Sequence, residues 1–198
     1  MPAGDPINVE PEEGFEFAGL LAFEDPVRVG VREAIADCMA SGMRVIMVTG
    51  DHPATAAAVA REIGLGGNEP SVVVLAADDD AGAVLGTHRG LHVVARATPP
   101  QKLALVQALQ SEGELVAVTG DGVNDVPALR LADVGVAMGE RGTRSAREVA
   151  PVVLLDDNFR TIVDAVAEGR QLFQNLRLAF AYLLLVHLPL VIGAAAIP

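Results

Sequence analysis

Apolar runs of four or five residues recur along the chain, each emptying into a turn rich in glycine or proline and then into a stretch with helical spacing. Val45 to Val48, Leu91 to Ala95 and Leu115 to Val118 are three such runs. Near-continuous apolar strands of this length are expected in a parallel sheet buried on both faces. Between them, apolar residues return at helical intervals: Val31, Ile35 and Cys38 in one stretch, and Leu105, Ala108 and Leu109 in another. A further helix opens at Pro53, where a first-turn proline is tolerated, and closes at Gly64. The pattern predicts an α/β fold, a parallel sheet with flanking helices. After Asn158, a good N-cap residue, Phe159, Ile162, Val163 and Val166 predict an amphipathic connecting helix over residues 159–177. Residues 178–198 then carry no Asp, Glu, Lys or Arg, which matches the ~20 residues a membrane-spanning helix needs. Arg170 and Arg177 place its N-terminal side in the cytoplasm. His187 and Pro189 predict a polar contact and an irregularity of the kind found among partner helices. Residues 1–13 read as a flexible leader, and Gly64 to Gly67 and Asp78 to Asp80 as loops.

Chemistry concentrates where the strands end. Val116 to Val118 runs into Thr119-Gly120-Asp121-Gly122-Val123-Asn124-Asp125, a glycine-rich turn that holds two carboxylates. In an open α/β sheet ligands gather at the carboxyl ends of strands, so Asp121 and Asp125 stand where a phosphate would arrive. Mg²⁺ takes one or two carboxylates together with water and phosphate oxygens, a set this loop can supply. An acidic turn in which Asp121 and Asn124 cap the next helix would use the same residues. Val45 to Val48 ends in Thr49-Gly50-Asp51, the tripeptide found again at Thr119 to Asp121. The helix that follows offers free N–H groups to an anion, with the Thr49 hydroxyl as a further donor; alternatively Thr49 and Asp51 cap it. Thr98 fits the N-cap of the third helix. Lys102 lies in its first turn, where a cation opposes the helix dipole unless a phosphate is near, although most lysines at such places are simply solvated.

Taken in order, these runs resemble the P-type cation-transporting ATPases, whose phosphorylation domain is haloacid-dehalogenase-like. The resemblance spans about Gly14 to Tyr182. It is carried by Gly19-Leu20 with Asp25-Pro26-Val27-Arg28, by Met47 to Asp51, by Ala95-Arg96-Ala97-Thr98-Pro99 with Gln101-Lys102, and by Thr119 to Asp125. Ala137-Met138-Gly139 with Gly142-Thr143, and Asp156-Asp157-Asn158-Phe159 through Gly169-Arg170, continue it. It implies an incomplete Rossmann-type phosphorylation domain over residues 14–158, a cation-translocating ATP hydrolase by family, with ATP and Mg²⁺ as cofactors. In that family Asp121 would bind Mg²⁺, with Asp125 at the metal orienting the loop and nearby water. Thr49 and Gly50 would donate to the transferred phosphoryl group and Lys102 would neutralise its charge, the pattern phosphoryl transfer needs. Asn124 would contact phosphate or nucleotide, and Asp51, Arg96 and Arg28 would face the nucleotide.

The family works through an aspartyl-phosphate formed on the first Asp of an Asp-Lys-Thr-Gly-Thr run, and these 198 residues contain no such run. The expectation is a truncated, split or partial pump sequence. It would supply the Mg²⁺- and phosphate-binding half of the phosphorylation domain, inactive alone, with the N-terminal half of the pump as its missing partner. The absent segment would be the central strand, flanked by those ending at Val48 and Val118, which leaves open edges and an aggregation-prone chain. A second expectation is a catalytically dead domain that docks on an intact pump as a regulator. Either would sit at a plasma or inner membrane with the haloacid-dehalogenase-like domain in the cytoplasm. The substrate of the full pump would be an inorganic cation, which the sequence does not name: past Asn175 the membrane segment has no acidic or amide ligand. A net charge of −12 with 4% aromatic residues gives neither a basic face nor a stacking platform for nucleic acid. Cys38, the single cysteine, falls on an apolar stripe and reads as a core filler.

Overall fold

The computed structural model describes residues 16–19, 21, 26–76, 79, 81–88 and 90–195. The expected leader, Gly14, Leu20, Asp25, Asp78, Asp80 and the last three residues of the expected membrane span lie outside the described residues.

Helices and strands alternate in the order α1 (Val31–Ala40), β1 (Met47–Val48), α2 (Pro53–Glu62), β2 (Val72–Val74), α3 (Ala81–Thr87), β3 (Val93–Ala95) and α4 (Pro99–Ser111). Then follow β4 (Ala117–Gly120), a 3-10 turn (Val123–Asp125), α5 (Val126–Leu131), β5 (Val134–Met138), α6 (Arg144–Val149), β6 (Val152–Leu154) and α7 (Phe159–Ala195). The strands form two parallel blocks of three, ordered β1-β3-β2 and β4-β5-β6. Val93, Val94 and Ala95 of the central strand β3 are fully buried. Their neighbours are Met47 and Val48 on one side and Val72 to Val74 on the other.

Two strands are shorter or later than the apolar runs imply. Pairing over Val45 to Val48 is confined to Met47–Val48, and the run from Leu115 yields a strand only from Ala117 to Gly120. Leu115 is 89% exposed. Neither strand is buried on both faces, because β1 and β4 are edge strands of their blocks among the described residues.

Helix α4 joins the two blocks. Leu105 packs with Leu75, Leu85 and Val94 of the first block, while Val106, on the neighbouring face, packs with Val116 and Ala128 of the second. Helix α1 places Ala34, Ile35 and Cys38 inward as its spacing predicts. Cys38 meets Val163 of α7 there, and burial together with the neighbouring Asp37 carboxylate raises its thiol pKa, so it is inert packing. Helix α7 runs unbroken through Gly169 to Ala195, with Pro189 inside it. Its first turns dock on α1, and Arg160 pairs with Asp37 at 2.8 Å. From Leu172 onward its large apolar residues are exposed, and this stretch is apolar enough to cross a membrane.

Candidate functional site

The local chemistry at each strand end decides which side chains are spent on structure. The N-cap of α2 is His52, whose Nδ1 accepts the Ala54 N–H at 3.2 Å. Thr49 and Asp51 are therefore not its caps. They bind each other instead: the Thr49 hydroxyl donates to Asp51 Oδ2 at 2.8 Å and accepts the Asp51 N–H at 3.1 Å. The same loop is tied to the end of β3, because Ala97 N–H donates to the Thr49 carbonyl at 2.9 Å and Arg96 N–H to the Asp51 carbonyl at 3.1 Å. Arg96 takes a left-handed conformation at φ 53 to do so. Thr98 caps α4 with Gln101, whose Oε1 accepts the Thr98 N–H at 2.9 Å, and Gln101 Nε2 ties the helix start to the Ala76 carbonyl at 2.8 Å.

One turn into α4, Lys102 reaches across to the second block. Its Nζ lies 2.7 Å from Asp125 Oδ1, with both side chains largely shielded. The other oxygen of Asp125 accepts the Gly122 N–H at 3.2 Å. This folding of Asp125 back over its own loop explains Gly120, where a Cβ would stand 2.6 Å from Asp125 Cβ. The capping alternative for Asp121 and Asn124 does not hold, since neither side chain caps the 3-10 turn or α5. Asp121 is exposed, and its carboxylate makes no hydrogen bond or ion pair among the described residues. Its carbonyl, by contrast, accepts the Thr143 N–H at 2.7 Å.

Thr49, Gly50, Asp51, Arg96, Lys102, Asp121, Asn124 and Asp125 thus belong to loops linked in sequence through Ala97 and the Lys102–Asp125 pair. Arg28 does not join them: its Nη1 donates to the Asp157 carbonyl at 2.6 Å, beside the start of α7. Among the described residues no group of three His, Cys, Asp or Glu is placed to hold a metal. An unpartnered, exposed carboxylate beside a neutralised one fits Mg²⁺, which keeps water and phosphate oxygens for its remaining positions.

Three residues escaped the sequence reading. Asp157 is buried and accepts three backbone N–H groups from the loop after β5. Thr143 caps α6 and touches the Asp121 backbone. Asp133 takes the Val116 N–H at 2.8 Å and so fixes the entry to β4. Only Asp157 and Thr143 carried any signal, as members of matching runs whose roles the sequence left open.

The sequence profile of the haloacid dehalogenase-like hydrolases matches residues 4–133, and a second profile of the same description matches residues 101–166. A sodium/potassium-transporting ATPase subunit alpha of Tetronarce californica is 42% identical, over 96% of this chain and 22% of its own length. A calcium-transporting ATPase 1 of Bacillus cereus is 43% identical, over 87% of this chain and 20% of its own. This chain therefore spans about a fifth of the length of the curated relatives it matches. Among solved structures, a zinc-transporting PIB-type ATPase in an E2.Pi state is 30% identical with a TM-score of 0.60, over 78% of this chain and 21% of that one. The catalytic domain of the CPx-ATPase CopB-B, 23% identical with a TM-score of 0.54, covers 70% of this chain and 45% of its own and shares the fold. With these matches running through the loops just described, the chain belongs to the haloacid dehalogenase-like hydrolase family, in its P-type ATPase branch.

Proposed function

We propose that this chain supplies the Mg²⁺- and phosphate-binding half of the phosphorylation site of a P-type cation-transporting ATPase, together with one membrane helix of that pump. The observation that supports this most directly is the 2.7 Å pairing of Lys102 with Asp125 in the loop where the Asp121 carboxylate has no partner among the described residues. Asp121 is then the metal ligand. Asp125, with one oxygen on Lys102 and the other on Gly122, holds the loop in shape at the metal and orients nearby water. Lys102 also stands ready to neutralise an incoming phosphoryl group, and Thr49 and Gly50 donate to it from the first block. Asn124 contacts phosphate or nucleotide, and Asp51 and Arg96 line the nucleotide side. Arg28 we assign to the base of α7, since its guanidinium is engaged there. Mg²⁺, when bound, neutralises charge on the phosphate oxygens.

In the pump reaction a carboxylate oxygen attacks the γ-phosphorus of ATP and the bond to ADP breaks; water later cleaves the acyl phosphate to release inorganic phosphate. The residues of this chain contribute position and charge, which carry most of the catalysis in phosphoryl transfer. The nucleophilic Asp is not among these 198 residues, so the chain alone forms no phosphoenzyme. Helix α7 crosses the membrane from the cytoplasmic side marked by Arg170 and Arg177, and the transported substrate is an inorganic cation.

Two measurements test this reading. Incubated with γ-labelled ATP, the chain acquires no acid-stable, hydroxylamine-sensitive label; a labelled band contradicts the proposal. Titrated with Mg²⁺ in lipid nanodiscs, it shows amide shifts from Gly120 to Asp125, and Asp121→Asn weakens that response by roughly tenfold or more, as loss of a ligand should. An identical response in Asp121→Asn overturns the metal assignment.

A further inference from the structure

Asp157 is the buried charged residue of the described chain, 6% exposed. Its Oδ1 accepts the N–H groups of Gly139 at 2.6 Å and Glu140 at 3.1 Å, and its Oδ2 that of Arg141 at 2.9 Å. Successive N–H groups of this kind form a concavity for an anion, and here the chain fills it with its own carboxylate. The arrangement is over-determined. Asp157 sits at φ 49, a conformation uncommon outside glycine, and Arg28 holds its carbonyl. Arg147 Nη1 grips the far side of the loop through the carbonyls of Gly139 at 2.7 Å and Gly142 at 2.8 Å. A Cβ at Gly142 would run into the Met138 carbonyl, so the loop closes only around glycine.

The clamped loop leads directly to the metal-binding turn. Thr143, next after Gly142, donates its N–H to the carbonyl of Asp121 at 2.7 Å. At the other end Asp157 stands just ahead of α7, whose first turn is capped by Asn158 through the Arg160 N–H at 2.9 Å. A short run of hydrogen bonds therefore connects the foot of α7 to the backbone that presents the Asp121 carboxylate.

We infer that Asp157 is a positioning residue: by clamping the Gly139 to Arg141 loop it holds Thr143 against Asp121, so that the foot of the membrane helix and the metal-binding turn keep one register. This rests on the assignment of Asp121 as the Mg²⁺ ligand. The physical reason is that the Glu140 and Arg141 N–H groups lose their acceptor if the carboxylate leaves, while Gly139 keeps only the Leu154 carbonyl at 2.8 Å, and part-buried donors without partners loosen the loop. Asn substitutes only in part: its one oxygen can still accept from Gly139 and Glu140, but its amide nitrogen turns a donor towards the Arg141 N–H.

The test is a Mg²⁺ titration of the full chain in nanodiscs, read at the Gly120, Asp121 and Gly122 amides, alongside hydrogen exchange. Asp157→Asn raises the Mg²⁺ midpoint by roughly tenfold, the lower end for groups that orient a ligand, and speeds exchange from Arg141 to Thr143, while Gly139 keeps its bond to the Leu154 carbonyl. Thr143→Pro, which deletes the N–H on Asp121 at a φ of −63 that suits proline and also removes the α6 cap, raises the midpoint similarly while Gly139 to Arg141 stay protected, whereas Thr143→Ala, which removes the cap alone, leaves it unchanged. Asp133→Asn, which removes an equally structural carboxylate from the opposite end of β4, leaves the midpoint unchanged. A midpoint unmoved in both Asp157→Asn and Thr143→Pro, or moved as much in Asp133→Asn, overturns the inference. If Asp157→Asn does not fold, Thr143→Pro decides alone. Failure of the wild-type chain to respond at these amides would instead strike the Asp121 assignment itself.

Discussion

Asp121 and Asp125 share one loop and meet opposite fates: Asp125 spends both oxygens on Lys102 and Gly122, while the Asp121 side chain stays open and only its carbonyl is held. Residue type and position singled out the loop, Lys102 and Thr49 in the sequence but left capping and solvation open as other uses, and it takes the hydrogen bonds of His52 and Asp125 to remove the capping reading. The division of labour was not legible, since it depends on Lys102 arriving from α4. Asp157 was hidden for the same reason: its partners lie in the loop after β5, and no periodicity links the two. Burial pushes the Asp157 carboxyl up, but the three N–H donors and the Arg28 guanidinium outweigh it and hold it below its usual pKa, with Asp156 the nearby acid. A depressed folded-state value means the stabilisation is complete above the ordinary carboxylate pKa of about 3.9 and is lost as pH falls through the folded value. Asp157→Asn should therefore lower stability at neutral pH and flatten the acid limb, a difference readable in urea unfolding between about pH 6 and about pH 3. Parallel acid limbs in the two proteins would show that Asp157 does not titrate with folding.

At the scale of elements, helices were more legible than strands. The α1 stripe, the Pro53 start and Gly64 stop of α2 and the Asn158 cap of α7 all follow from short-range rules. Strand ends did not follow, because pairing and not apolarity alone sets them: Leu115 is apolar yet finds no partner and stays in water. The double role of α4 was half visible, since the spacing of Leu105, Ala108 and Leu109 marks one face and misses Val106. Docking of α7 on α1 rests on the apolar packing of Phe159 and Val163 and on one ion pair, of different worth. Val163 is 7% exposed against Ala34 and Cys38, and Val163→Ala removes two buried carbons at a cost of roughly 1.5 kcal/mol. The Arg160–Asp37 pair is about half exposed, so Arg160→Ala costs no more than about 1 kcal/mol. Chemical denaturation of the two variants should rank them in that order; the reverse ranking would mean that charge, not packing, seats the helix.

Across the whole molecule, two parallel blocks share one bridging helix, and the loops that follow the edge strands β1 and β4 carry Thr49 to Asp51 and Asp121 to Asp125. Both β1 and β4 leave main-chain groups unpaired on one side among the described residues, a geometry that invites strand addition. The absent Asp-Lys-Thr-Gly-Thr run already marked the strands ending at Val48 and Val118 as open edges, and the pairing order makes both of them edge strands, with β2 and β6 at the other edges. If loops from both blocks serve one Mg²⁺ and phosphate centre, titration of the nanodisc-bound chain with inorganic phosphate at saturating Mg²⁺ shifts the Thr49, Gly50, Lys102 and Asp121 amides together along one binding curve with a common midpoint. Shifts confined to one block, or separate midpoints for the two, would mean that the loops serve no common centre.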